Sequence, residues 1–305
     1  MFFYVFILII NNMTNYILEN GVFGTKFIPA SPWDDSMTQF VREKQIPEVC
    51  INHRNWSGEN LDFLFEIKYL KAFTLVDFSI SDIHALNALT QLEYLYLETY
   101  APSMIDLKNF SKLTYCALRH VPNVDGIEGL TNIQSLLLHG GKSVDTATVG
   151  KLSTLQSLSL IQCKLYSLEG LGNLKNLRKL IISNNPELRD LRNIGKLQNL
   201  ESLEIEACKK IASIDELRTL VNLKKLYIND CGQVESLTPL LGLNELENFK
   251  FSESTNIVDG DLSFILNHPI LDPKKVGFKS RSHYTKAKEL KKTKYTASDI
   301  RKMFP

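Results

Sequence analysis

Three tyrosines with a nearby acid and base form the chemically richest cluster in the sequence. Tyr94, Tyr96 and Glu98 alternate along one short segment, and Tyr115 and Arg119 alternate along the next. Tyrosine and arginine are enriched among the residues that anchor protein interfaces. The residue types and their alternation therefore predict a surface that binds another protein rather than a reaction centre.

Catalytic, cofactor and metal-binding patterns are weak. Gly140-Gly141-Lys142-Ser143 ends like a phosphate-binding loop, but Leu136 occupies the position where that loop needs its first glycine. His120 and His139 fall on neighbouring repeats with no third ligand. A pair of Glu98 with His139 is better explained by salt bridging in a binding face than by acid–base catalysis. We therefore predict no catalytic residue, no cofactor and no metal ion.

A repeat that restarts every 20 to 23 residues positions these side chains. Each block opens with the spacing L-x-x-L-x-L, so that alternate residues of a short strand point to opposite faces. Copies that are too short to be stable alone stack in parallel about 4.8 Å apart and share one core. The blocks open at Leu70, Leu92, Leu113, Ile133, Leu155, Leu177, Leu200, Leu223 and Leu246, with a weaker copy at Ile46.

This pattern resembles the leucine-rich-repeat family, specifically its short internalin-like and SDS22-like type, over roughly residues 46–266. The resemblance implies an α/β fold, a right-handed solenoid with a concave parallel sheet of about ten strands and a convex side of 3₁₀ turns or short helices. It also implies binding of a protein without naming that protein, because the fold hosts many functions. Residues 1–45 are predicted to form an N-terminal extension and cap, and residues 267–305 a basic C-terminal cap.

Both predicted caps carry local signals. Asn20-Gly21 between apolar segments indicates a type I′ hairpin. Residues 37–44 place apolar side chains on one helical face, with an N-cap within residues 34–36. Two short helices are predicted near residues 285–293 and 297–304.

Charge is unevenly distributed along a chain whose formal net charge is only +1. Residues 270–305 carry eleven Lys and Arg against three Asp and Glu, whereas the first 269 residues carry 24 against 31. The simplest interpretation is a solvated cap that offsets the acidic repeats. Contact with an acidic protein, a nucleic acid or an anionic membrane is the alternative.

The chain termini and cysteines bear on localisation. The first ten residues are all apolar, but they lack a preceding Lys or Arg and a small-residue cleavage site, and a membrane span needs ~20 residues. The interpretations are initiation at Met13 or a disordered extension, packing on the N-terminal cap, and a targeting signal. Five cysteines with no C-x-x-C pair favour reduced thiols and a cytoplasmic protein. Cys50 points outward from the weak first strand and is the candidate reactive thiol.

One position of the repeat, which we call the polar column, is usually polar in the leucine-rich-repeat family. Proteins of the family usually carry Asn or Cys there, three residues beyond the third leucine, where the side chain bonds buried backbone groups of the turn. The early repeats depart from this column at Phe78 and Tyr100, so we expect their turns to be closed by packing instead. The later repeats match the column at Cys163, Asn185, Cys208 and Cys231.

The outward positions of the strands supply the predicted partner-binding face. Outward aliphatic side chains on a solvated sheet need a covering molecule, which the tyrosines would anchor. We predict a non-enzymatic protein-binding scaffold; a regulator or inhibitor of an enzyme, and an exported internalin-like adhesin, are the alternatives. The predicted binding residues are Tyr94, Tyr96, Glu98, Tyr115, Arg119, Leu137, His139, Ile161, Ile181, Glu204, Glu206 and Tyr227.

Overall fold

The computed structural model describes residues 15–54, 56–140, 144–285 and 287–293. The chain divides into two compact units, Met1–Lys142 and Ser143–Pro305, which we call the N-terminal unit and the C-terminal unit. Both are built from one repeated element, in which a five-residue strand is followed by a turn and a return segment. This is the α/β repeat solenoid that the leucine spacing predicts.

The N-terminal unit contains a sheet whose strand order follows the chain. Its described strands are β1 (Tyr16–Asn20), β2 (Thr25–Pro29), β3 (Glu48–Asn52), β4 (Ala72–Val76), β5 (Tyr94–Glu98), β6 (Ile105–Asp106), β7 (Tyr115–Arg119), β8 (Val124–Asp125) and β9 (Ser135–His139). The order is β1-β2-β3-β4-β5-β7-β9, and all neighbours are parallel except the β1–β2 hairpin. The short strands β6 and β8 pair separately.

The β1–β2 hairpin and a following helix occupy the start of this unit. Asn20 still pairs with Thr25, so four residues form the hairpin loop rather than the two that a type I′ turn at Asn20-Gly21 requires. The buried carboxylate of Glu48 accepts a hydrogen bond from the Phe23 amide and fastens this longer loop to β3. Helix α1 (Asp35–Glu43) begins at the N-cap Asp34.

The C-terminal unit repeats the same arrangement. Its described elements are α2 (Thr146–Val149), β10 (Ser157–Ile161), β11 (Lys179–Ser183), β12 (Ser202–Glu206), β13 (Lys225–Asn229), β14 (Gln233–Val234), β15 (Asn248–Ser252), β16 (Asn256–Ile257), α3 (Ser263–Asn267) and α4 (Ala287–Thr293). Strands β10, β11, β12, β13 and β15 are parallel neighbours in that order. A single bridge from Lys250 to Gly277 follows β15. Helix α4 lies where the sequence predicts one; the second predicted helix, 297–304, lies outside the described residues.

The leucines of the repeat form the core of each unit. Leu177, Leu180 and Ile182, which open one block, are fully buried, and the corresponding positions of other blocks behave in the same way. Burying one such side chain contributes about 1.5–3 kcal/mol, so the repeat supplies most of the stabilisation. The return segments contain 3₁₀ helices at Asp62–Glu66, His84–Ala88, Leu107–Asn109, Ile127–Gly129, Leu171–Asn173, Ile194–Lys196, Asp215–Thr219 and Thr238–Leu240.

Strands of the C-terminal unit end at a residue with left-handed backbone. Its φ lies between 50° and 57°, a region that costs energy for residues with a Cβ atom. After β10, β11, β12 and β13 this residue reverses the chain, so that the next side chain points back into the core. After Glu253 the buried side chain is that of Thr255, one position later. The left-handed residues are Gln162, Asn184, Ala207, Asp230 and Glu253.

Asn185 is the best example of the buried residue that follows. Its side-chain oxygen accepts hydrogen bonds from the amides of Cys163 and Leu165, at 3.1 and 3.2 Å. Its side-chain nitrogen donates to the carbonyls of Leu160 and Ser183, at 3.1 and 2.8 Å. One side chain thus bonds four backbone groups around the turn, of which the Ser183 carbonyl also accepts from the Gln162 amide at 2.9 Å.

Two turns of the N-terminal unit are closed one residue earlier. Neither Asp77 nor Thr99 has left-handed backbone, yet both side chains are buried. Asp77 accepts hydrogen bonds from the amides of Ser79 and Ile80, both at 2.8 Å, and Thr99 accepts one from Ala101 at 3.2 Å. The expectation that these turns are closed by packing alone is wrong, because the polar residue occupies the preceding position.

Candidate functional site

The tyrosine cluster of the N-terminal unit is a connected group on adjacent strands. Parallel pairing of β5 with β7 sets Tyr94 beside Tyr115, and their rings stack with centroids 4.4 Å apart and planes 4° apart. The hydroxyl of Tyr96 donates a hydrogen bond to Oε2 of Glu98 at 2.8 Å. The same oxygen lies 3.3 Å from Nε of Arg119. The sequence therefore predicted correctly which side chains meet.

Burial raises the pKa of two phenols of this cluster. Desolvation, followed by the hydrogen bond to Glu98, raises the pKa of Tyr96 to about 12. Desolvation and the adjacent Tyr115 also raise the pKa of Tyr94. Glu98 and Arg119 compensate each other's charge. The cluster thus offers a partner aromatic surface and hydroxyl groups, with little net charge.

Leu137 and His139 lie on β9, at the next positions along this face. Leu137 is half-buried and pairs with Ala117, which is fully buried. His139 pairs with Arg119, so Arg119 separates it from Glu98 on β5. Glu98 and His139 are therefore not brought together as an acid–base pair.

The remaining predicted binding residues lie in the C-terminal unit. Ile181, Glu204 and Tyr227 occupy one cross-strand row, and all three are half-buried. Ile161 lies diagonally next to Ile181, and Glu206 is exposed and accepts a weak hydrogen bond from Ser183 at 3.4 Å. Among the described residues, neither glutamate forms an ion pair. This group therefore combines aliphatic surface with available negative charge.

A row of aromatic rings, which we call the rim ladder, follows the carboxyl ends of the strands in the N-terminal unit. Successive ring centroids are 6.2, 5.3, 5.4 and 4.5 Å apart. Phe78 is 44% exposed and Tyr100 is 60% exposed, which is unusual for large rings. The members, in order, are His53, Phe78, Tyr100, His120 and His139.

Comparison with known proteins agrees with this architecture. Residues 175–219 match the family model described as leucine-rich repeats in two copies. The same repeat unit continues through both units of the structure. The chain is a leucine-rich-repeat protein. No protein with a curated description matches it.

Solved structures show the same fold at low sequence identity. An internalin (inlF) from Listeria monocytogenes is 20% identical with a TM-score of 0.64, over 85% of this chain and 82% of the internalin. A leucine-rich-repeat protein from Leptospira interrogans is 17% identical with a TM-score of 0.57, over 76% of this chain and 72% of its own. These likenesses establish the fold and leave the partner open.

In the described ranges, no helix has the length and apolar composition that crossing a membrane requires. Nor do the described side chains include a group of three or more His, Cys, Asp or Glu suited to a metal ion.

The cysteines of the leucine-rich-repeat protein are all free thiols. Burial raises the pKa of Cys116, Cys163 and Cys231 to about 12 and that of Cys208 to about 11. Cys50 is half-buried and, as predicted, lies on the outward face, but desolvation raises its pKa too. Its environment therefore does not activate the thiol.

Sequence reasoning missed the rim ladder because it placed Phe78 and Tyr100 in the buried polar column. Each is preceded by a residue that can accept turn hydrogen bonds, Asp77 or Thr99. Asp and Thr readily bond nearby backbone amides in turns. That pair of residue types, polar and then aromatic, is the signal that could have revealed the shifted turn.

Proposed function

We propose that this leucine-rich-repeat protein is a non-enzymatic scaffold that binds a protein partner through the outward sheet face of its N-terminal unit. The observation that carries the proposal is the stacked pair Tyr94–Tyr115 together with the chain of contacts from Tyr96 through Glu98 to Arg119. Tyrosine and arginine are the types that dominate interface energies. A cytoplasmic setting belongs to the same proposal.

The fixed geometry of the cluster supports this role. Ordering a flexible side chain on binding costs about 0.5–1.5 kcal/mol, and stacking or hydrogen bonding before binding removes part of that cost. Tyr94, Tyr96 and Tyr115 are held by neighbours yet remain half-buried, so one side of each stays accessible. They would act as anchors that need no rearrangement.

The C-terminal unit would contribute differently. Ile161, Ile181 and Tyr227 offer a contact surface, while Glu204 and Glu206 carry charges that no described ion pair neutralises. Such charges mainly accelerate association and select partners of opposite charge. We therefore propose that this group favours a partner with exposed Lys or Arg.

The test is a comparison of Tyr96→Ala with wild type. Proximity labelling in the source cells would identify partners, and the affinity of each would be measured with purified proteins. We expect the substitution to weaken binding about 30-fold, as for an anchor worth about 2 kcal/mol, with little change in melting temperature.

Tyr166→Ala is the matched control, because Tyr166 is also a tyrosine, is 69% exposed and lies outside the strands. It should bind like wild type. Equal affinity of the Tyr96 variant and the control for every partner would contradict the proposal.

A further inference from the structure

The rim ladder is an exposed aromatic row that the sheet-face proposal does not use, apart from His139. Its rings contact one another in sequence, but Phe78 and Tyr100 leave about half of their surface to solvent. Large exposed rings in a contiguous row mark an interaction site more often than isolated exposed residues do.

The tilt of the rings restricts what can bind there. Successive planes are inclined by 51°, 43°, 49° and 50°, so the rings do not form one flat stacking platform. A flat base or sugar ring stacks best on an open aromatic face. A narrow, puckered group fits better between two inclined rings.

The charge near the ladder argues against anionic ligands. The cations next to ladder residues in sequence are Arg54 and Arg119, and Arg119 already pairs with Glu98. Nucleic acids need several unpaired cations, because contacts to phosphates supply most of their affinity. The ladder is instead suited to an uncharged ligand that accepts hydrogen bonds.

The spacing of the rungs points to one kind of peptide. A polyproline II helix repeats every three residues with a rise of 3.1 Å, so its turns recur about every 9.3 Å. Successive ring centroids are 6.2, 5.3, 5.4 and 4.5 Å apart, so alternate rings are at most 9.9 to 11.5 Å apart. A proline at every third position would therefore come close to every second gap between rings if the peptide ran across the strands.

The polar atoms of the ladder complement such a peptide. Polyproline II backbone has no internal hydrogen bonds, so its carbonyls are free to accept. Tyr100 carries a hydroxyl that can donate to them, whereas Nδ1 of His53 already lies 3.3 Å from the Val76 carbonyl. Aromatic-lined grooves with such donors are a general means of recognising proline-rich segments.

We propose that the rim ladder binds a proline-rich segment of the partner in the polyproline II conformation. The inference rests on the proposed function, since it names the chemistry of a partner that the same unit would bind. It assigns this role to residues of the ladder and not to the tyrosine cluster.

The test uses the purified full-length chain and an array of decapeptides with proline at every third position. Control peptides replace each proline by glycine or serine. We expect at least one proline peptide to bind tenfold or more tightly than its control in calorimetry. Phe78→Ser and Tyr100→Ser should each weaken that binding tenfold or more while the melting curve stays close to wild type.

Phe65→Ser is the control variant, because Phe65 is 41% exposed in the same unit but lies in a 3₁₀ helix of the return side. It should bind the peptide like wild type. No proline preference anywhere in the array, equal binding by folded ladder variants, or tighter binding of an oligothymidylate probe would each overturn the inference. If Tyr96→Ala still loses a native partner in that case, the proposed function stands alone.

Discussion

Strands β10 to β13 of the C-terminal unit end in a left-handed residue followed by a buried Cys or Asn, whereas β4 and β5 of the N-terminal unit end without one. In the first arrangement Asn185 closes the turn, and in the second Asp77 and Thr99 do so one position earlier. The buried backbone groups are paired in both cases. Both kinds of turn therefore satisfy their buried amides, but the polar residue that does so lies at a different position of the repeat.

The earlier position of the polar residue changes which side chain is exposed on the surface. When the polar residue closes the turn early, the position that would otherwise be buried points outward, and here Phe78 and Tyr100 occupy it. The regular repeats of the C-terminal unit bury this column with Cys163, Asn185, Cys208 and Cys231. The most aromatic surface therefore occurs where the repeat departs from its regular form.

Removing the Asn185 side chain, which closes its turn in the regular way, should have the largest effect on stability. Asn185→Ala removes the acceptor of two buried amides and the donor to two carbonyls, of which the Ser183 carbonyl still accepts from Gln162. Each buried orphan costs about 1–3 kcal/mol. We expect the free energy of unfolding to fall by about 4 kcal/mol in urea titration. Asn184→Gly is the control, because glycine suits its left-handed backbone, and this variant should change little. A small effect of Asn185→Ala would contradict the claim that this side chain closes the turn.

Removing the Asp77 side chain, which closes its turn one position earlier, should reduce stability by a smaller amount. Asp77→Ala leaves the amides of Ser79 and Ile80 without their acceptor, so we expect a loss of about 2 kcal/mol by the same measurement. Asp77→Asn keeps a side-chain oxygen and should lose under about 1 kcal/mol. If both variants match wild type, packing alone closes this turn.

Substitution of a left-handed residue should have the smallest effect on stability. Ala207 has φ of 50°, where a Cβ atom costs about 1–2 kcal/mol, and glycine removes this cost but adds flexibility to the unfolded chain. Ala207→Gly should therefore stabilise the protein by about 0.5 kcal/mol in calorimetry. Ala117→Gly, in the extended strand β7, should instead destabilise it. Equal losses in the two variants would contradict the role of left-handed backbone.

The sequence was sufficient for the repeat, its strands and the neighbours in the tyrosine cluster. Leucine spacing determines which side chains are buried, and parallel pairing then sets Tyr94 beside Tyr115 and Glu98 beside Arg119. These features follow from a fixed period that many copies share, so one irregular copy does not obscure them.

Features that depend on a single residue of offset could not be predicted in this way. The turns at Asp77 and Thr99 and the four-residue hairpin loop each shift the pattern by one or two positions. The hairpin loop depends on Glu48, which is distant in sequence from the Asn20-Gly21 signal. Local signals indicate that a turn exists, whereas tertiary hydrogen bonds decide its length.

The distribution of thiols gives the molecule a practical asymmetry. Four sulfur atoms are enclosed by the core, while Cys50 is half-buried on the sheet face, in the row that continues through Thr74 to Tyr96. Because burial raises the pKa of Cys50, a maleimide dye would have to be applied to native protein at alkaline pH, and it would then reach one position first, two strands from an anchor tyrosine. Wild-type protein thus contains its own attachment point for a fluorescent reporter of docking.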